Sequence, residues 1–332
     1  MRACWLSLLL VVLCASAAWP SWSATAPVAE STLDEIVVTG RLPGPGLWKI
    51  SKDGHVLWVL GTLAPLPRRM QWDSIKVQAR IAQSQEVLMA PVASIKVDIG
   101  LIGGLLLVPK ALAARRNPER AMLVDVVPAA LYARWSVLKQ RYLKRNRAVE
   151  KQRPILAASK LYERALKRVG LSQRDVVTRV VRKAAKRNKV LITEPKLELK
   201  IADPRQALAE FASSELNDLP CFEQTLERVE ADLGTMKARA NAWARGDLAA
   251  LRRLPFVDQR RACDDAILNT QIARSRGMDD VRERLRSLWL ETAISAIARN
   301  ESTFAILRVN ELLRDGGVAQ QLQSLGYTVQ AP

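Results

Sequence analysis

The sequence predicts a mixed α/β fold, rich in helix, on three observations. Six short β-rich runs at 47–51, 56–61, 86–90, 189–193, 303–307 and 327–330 are separated by stretches with helical apolar spacing, the pattern of an α/β domain and not of a helix bundle. Apolar residues make up 49% of the 332 positions, enough to bury one large core or two closely joined lobes. No segment has the length of a membrane-spanning helix. The apolar stretch at 99–109 is short, contains Gly100, Gly103 and Gly104, and reads as buried or as the cover of a groove.

The elements follow in chain order. Met1-Arg2-Ala3-Cys4-Trp5 places a positive end before the apolar run 6–15, and Ala15-Ser16-Ala17 fits a signal-peptidase site. Residues 1–17 are therefore expected to be a cleaved signal peptide, and the mature protein to be periplasmic or secreted. Cys14 follows Val12-Leu13 and not small residues, which argues against a lipid anchor. Residues 18–46 read as a linker rich in Ala, Thr, Pro and Gly. Within it, Leu33-Asp34-Glu35-Ile36-Val37-Val38-Thr39-Gly40-Arg41 resembles a TonB box, a segment that lends a strand to an energising partner. No barrel-forming sequence follows, so a plain strand-forming linker is the simpler reading. The folded domain is expected over 47–332. Loss of Cys4 and Cys14 with the signal leaves Cys221 and Cys263, which in an exported protein predicts one disulfide.

The first two strand runs predict a hairpin around Asp53-Gly54-His55, in which the chain's single His reads as solvated. A helix is expected over about 74–84. Pro154 and Gly170 bound one amphipathic helix, and Val176, Val177, Val180, Val181, Ala184 and Ala185 trace the apolar face of the next. Further helices are expected near 128–139, 204–213, 220–245, 262–275, 278–300 and 316–325. The pairs Asp264-Asp265 and Asp279-Asp280 read as acids near helix starts, where the macrodipole favours them.

Charge is uneven. The chain carries +18, and residues 139–189 hold eighteen Lys and Arg against Glu150, Glu163 and Asp175, a net +15. Arg179, Arg182, Lys183 and Arg187 project from the apolar face's opposite side. A solvated helix surface accounts for such a face structurally. The functional reading is attraction to an acidic glycan or an anionic membrane surface. Nucleic acid is not expected, because export argues against contact and Tyr142 and Tyr162 alone make no stacking platform.

Phosphate-loop, nucleophile-elbow, Cys-x-x-Cys and His-Glu-x-x-His patterns are all absent from the sequence, and no cofactor is expected. The more specific signals are Leu47-Trp48-Lys49-Ile50 with Leu57-Trp58-Val59-Leu60-Gly61-Thr62-Leu63-Ala64-Pro65-Leu66-Pro67, then Ala242-Trp243-Ala244-Arg245-Gly246-Asp247-Leu248, then Ser302-Thr303-Phe304-Ala305-Ile306-Leu307 with Gly326-Tyr327-Thr328-Val329. In this order they resemble the motifs LWxV…LxLLGTLHxLP, WxxGD and FVAVGAGH…GYxV of the TraB/GumN family, whose relatives include the Tiki-type peptidases. The likeness covers nearly the whole mature chain.

That resemblance implies a domain with a small split sheet and a metal-type site at the strand ends. Its expected ligands are replaced here. Gly61 is kept, but Ala64 stands where the pattern has its first His, Ala90 or Met89 where it has Glu, and Arg308 and Glu311 where the second GxxH has Gly and His. An open hydrolytic site needs about three protein ligands and a water. The resemblance with these replacements implies an envelope protein that is a non-catalytic binding descendant of a hydrolase scaffold and holds no metal. The alternative is a metal-dependent peptidase rearranged around Glu311, Asn310 and Arg308.

Overall fold

In the computed structural model the described residues are 44–97, 100–201, 203–214, 216–254 and 259–332. The segments expected to be a signal peptide and, up to residue 43, a linker with its TonB-box-like stretch lie outside them. The chain begins with β1 (Leu47–Lys52), β2 (His55–Thr62), β3 (Leu66–Pro67), α1 (Ile75–Ala82), β4 (Glu86–Leu88), β5 (Val92–Val97) and α2 (Leu101–Ala113). Next come α3 (Leu123–Val126), α4 (Ala129–Tyr142), α5 (Pro154–Arg168), β6 (Leu171–Ser172), α6 (Val176–Arg187), β7 (Leu191–Thr193) and β8 (Lys196–Ile201). The helices α7 (Pro204–Ser213), α8 (Leu219–Ala231), α9 (Leu233–Arg245), α10 (Leu248–Arg253), α11 (Gln259–Leu268), α12 (Gln271–Ser275) and α13 (Val281–Arg299) precede β9 (Ser302–Arg308), α14 (Val309–Leu313), α15 (Val318–Ser324) and β10 (Thr328–Gln330).

The six predicted strand runs are the six strands of one sheet, in the order β10-β1-β2-β9-β4-β7. Alternation drives the hairpin: Trp48 and Ile50 of β1 are buried and pair across to Val59 and Leu57 of β2. Asp53 and Gly54 both take positive φ, as the tight two-residue turn requires. Strands β2, β9, β4 and β7 run parallel, and β9 is buried from Thr303 to Leu307, the continuous apolar run of a strand covered on both faces. The unpredicted strands lie in two-stranded ribbons, β3 with β6 and β5 with β8, each short or half-polar.

Two main hydrophobic cores form. One joins the sheet to Val77, Val181, Trp243, Trp289 and Leu322 from the flanking helices. The other is all-helical and contains Leu123, Trp135, Leu161, Phe222 and Leu226, with the rings of Trp135 and Phe222 5.3 Å apart. Below it, Glu150 is buried yet satisfied: Trp135 Nε1 donates at 3.1 Å and Lys139 Nζ lies at 2.6 Å. Cys221 and Cys263 form a disulfide that joins α8 to α11.

Several expectations are corrected. The helix at 220–245 is two helices, because the chain turns at Asp232, whose buried carboxylate is shared by Arg228 at 3.5 Å and Arg239 at 2.6 Å. The helix at 262–275 breaks where the Thr270 hydroxyl accepts from Ala273 N at 3.1 Å to cap α12. Asp280 stands at the N-cap position of α13 without a side-chain capping bond, whereas Asp264 and Asp265 lie inside α11, where they pair with Arg260 and Arg282. His55 is not a solvated turn residue: it opens β2 and its Nδ1 donates to Asn300 O at 2.8 Å, which ties the hairpin to the end of α13. Within the apolar stretch at 99–109, Leu107 of α2 is buried while Leu105, Leu106 and Val108 are exposed. Among the described residues no helix is long and apolar enough to cross a membrane.

Candidate functional site

Parallel pairing decides where the site must lie. Thr62 pairs with Arg308, Gly61 with Leu307, and Leu88 with Ala305, so β2, β9 and β4 end on the same edge of the sheet. Ligand sites of open α/β sheets lie outside the carboxyl ends of the strands. The chain leaving those ends carries Ala64, Ala90 and Arg308, with Glu311 one turn on in α14. Positions spread over nearly 250 residues of sequence thus share one edge.

Gly61 is tightly held. Trp243 Nε1 donates to its carbonyl oxygen at 2.6 Å, and a Cβ at this position would meet Trp48 at 3.0 Å and Val309 at 3.1 Å. Its glycine is required by the close approach of these two side chains. Trp243 also takes the edge of Trp72, with ring centroids 5.6 Å apart. Gly246 then ends α9 in the left-handed conformation, and the Asp247 carboxylate accepts from Ala250 N at 2.9 Å to start α10. The Trp243-to-Asp247 motif therefore braces the strand end that carries the first GxxH-like segment.

The polar groups at this edge are arranged as an ion-pair cluster. Glu311 lies 3.3 Å from Arg286 Nε of α13 and 3.1 Å from Arg314 Nη2, and Arg286 Nη1 reaches Glu283 at 2.5 Å. Two guanidinium groups occupy the surroundings of the only carboxylate among the replaced positions. Ala64 and Ala90 offer methyl groups, and Arg308 is an exposed cation. This donor set does not fit a divalent metal ion, which would meet fixed positive charge and a single committed carboxylate. Among the described residues there is no group of three or more His, Cys, Asp or Glu placed to hold a metal.

At the opposite end of the same strands, Glu86 is buried at the start of β4. Its Oε2 accepts from Asn300 Nδ2 at 2.8 Å and from Arg299 Nη2 at 3.1 Å. Burial pushes its carboxyl upward, but hydrogen bonding from Thr193, Asn300 and Arg299 and the Arg299 charge outweigh it and hold the group below the usual carboxylate range.

The predicted basic face divides. Arg182 is paired with Glu194, and Arg187 donates to Gln78 Oε1 at 2.8 Å, so both serve the packing of α6 against its neighbours. Lys183 is exposed. Arg179 lines a hollow of about 590 Å³ between α5 and α6, where it is joined by Arg68, Lys167 and Arg174. The one carboxylate on the lining, Glu163, is 3.3 Å from Lys160. Arg68 is absent from the sequence-based set because its arrival depends on the β3–β6 ribbon, in which Leu66 pairs with Ser172 and Arg68 N donates to Gly170 O at 3.0 Å. A pairing of two-residue strands a hundred residues apart leaves no periodic signal.

The fold is a mixed, helix-rich α/β domain in which β2, β9 and β4 end on one edge, beside the Arg286–Glu311–Arg314 cluster. The profile of the TraB/PrgY/gumN family matches residues 46–331, and the chain belongs to that family. No curated protein and no solved structure matches it.

Proposed function

We propose that this chain is an exported, non-catalytic member of its family that binds acidic glycan at the cell envelope through the hollow between α5 and α6. The observation that carries the reading is the Glu311 cluster: the strand-end edge holds one carboxylate, ion-paired with Arg286 and Arg314, while Ala64 and Ala90 supply no ligand, and so it lacks the means to activate a water through a metal. Export is supported by the signal-like N-terminus and by the Cys221–Cys263 bond, which suits an oxidising compartment. Binding is supported by four cations around one hollow with a single, already paired carboxylate, an arrangement that attracts a polyanion and suits repeated carboxylate or phosphate groups.

The experiment is a titration of the protein with a uronate polymer, repeated across ionic strength, for the native chain and Arg68→Glu/Arg174→Glu/Arg179→Glu. The native chain is expected to bind and to lose affinity as salt rises, since screening shortens the reach of each charge to about 8 Å at 0.15 M. The triple variant should lose the binding. Equal binding by both proteins removes the hollow from the account.

A further inference from the structure

A helix that is apolar all round is normally buried on all sides. Helix α2 is not. Its inner side is covered, with Leu107 and the C-cap residue Ala114 buried, and its end is fixed by Arg153 Nε, which donates to Ala114 O at 3.2 Å. The outer side carries Leu105, Leu106, Val108 and Leu112, which are 73, 60, 48 and 55% exposed. Four aliphatic side chains within eight residues form an exposed patch of the kind that marks an interaction surface.

What lies beside the patch identifies its occupant. Leu112 is also on the wall of a second hollow, of about 570 Å³, whose other lining side chains include Arg115, Arg116, Arg147 and Lys151. No carboxylate is among its described lining residues. Aliphatic side chains thus stand next to four cations at one end of the helix, and the only charge on the helix itself is Lys110, whose stem can lie along an apolar surface while its ammonium reaches water. An exposed aliphatic face flanked by cations from neighbouring segments suits a membrane interface, where leucines enter the acyl boundary and basic residues meet the phosphates. The helix is about 20 Å long at 1.5 Å per residue, too short to cross a bilayer but sufficient to lie in its plane.

We infer that α2 docks the protein onto a bilayer surface bearing anionic phospholipid headgroups, its leucines entering the interface while Arg115, Arg116, Arg147 and Lys151 receive headgroup phosphate. This surface is distinct from the α5–α6 hollow, and its test does not depend on glycan binding.

The test is flotation of the full chain with vesicles of phosphatidylcholine mixed with phosphatidylglycerol, and with phosphatidylcholine alone, alongside hydrogen exchange of the native chain. The native chain should float with the mixed vesicles at least tenfold better than with the neutral ones, since each cation near an anionic surface contributes about 1 kcal/mol. Leu106→Glu/Leu112→Glu, with an unchanged circular dichroism spectrum, should lose flotation on both vesicle types, whereas Arg116→Glu/Lys151→Glu should lose the preference for the anionic lipid. Exchange across residues 101–113 of the native chain should slow when mixed vesicles are added, and this readout decides the matter if the leucine variant fails to fold. Native flotation by the leucine variant, or unchanged exchange across 101–113, overturns the proposal. So does a native dimer in sedimentation that the leucine variant converts to monomer without any vesicle binding, since that outcome assigns the face to a second copy of the chain.

Discussion

Trp243 donates its indole N–H to the carbonyl oxygen of Gly61 at 2.6 Å, and so joins two motifs that are 182 residues apart in the chain. The bond is buried, and the same Trp packs on Trp72. It fixes the end of β2, from which the Ala64 segment departs. Trp243→Phe removes both the donor and the fused ring from a buried site, leaving the carbonyl unpaired beside a cavity, and should destabilise by about 2–4 kcal/mol. Urea unfolding of the two proteins measures it; an unchanged midpoint would show that the bond contributes nothing.

Gly61→Ala should also destabilise, by about 1–3 kcal/mol, because the added methyl meets Trp48 and Val309 in a core that cannot yield without moving β1 or α14. Gly61→Ala/Val309→Ala should recover part of the loss. A double variant no better than the single one would place the strain elsewhere.

The Cys221–Cys263 bond closes 42 residues, which in the chain-entropy treatment contributes about 4 kcal/mol. Cys221→Ala/Cys263→Ala should lower the melting temperature of the native protein, and reductant should bring the unmodified chain down to the variant. If reductant leaves the melting temperature untouched, the bond has no such role.

Acid should act through Glu86. Its folded carboxyl titrates below the unfolded value of about 4.3, so the stability it confers is fully present above that value and is lost as pH falls through the lower, folded one. Glu86→Gln lacks this titration. Its stability should therefore fall less steeply on the acid side than that of the native chain, although at neutral pH it starts about 1–3 kcal/mol lower. Parallel stability curves for the two proteins would contradict the assignment.

The six-stranded sheet was legible in the sequence because each of its strands is a compact β-rich run flanked by turn residues, and the end of β2 was legible because Gly61 to Pro67 is a recognisable motif. Helix breaks were harder. Asp232 ends α8 through long-range pairing with Arg239 one helix further on, and nothing in the local apolar spacing announces it. The basic face was half legible: helical periodicity puts Arg179, Arg182, Lys183 and Arg187 on the outside, but only tertiary contacts decide that Arg182 and Arg187 are spent on Glu194 and Gln78 while Arg68 joins Arg179. The composition of the strand-end edge was readable, whereas the role of Arg286 as a partner of Glu311 required the fold.

Whether this edge performs metal-dependent hydrolysis is decided by digestion of a peptide library with and without chelator, by the native chain and by Glu311→Ala. No chelator-sensitive cleavage is expected from either protein, and Glu311→Ala should lose only about 0.5–1 kcal/mol of stability with its partly exposed ion pairs to Arg286 and Arg314. Cleavage by the native chain that is abolished both by chelator and by Glu311→Ala would contradict this expectation and establish a rearranged active site around Glu311.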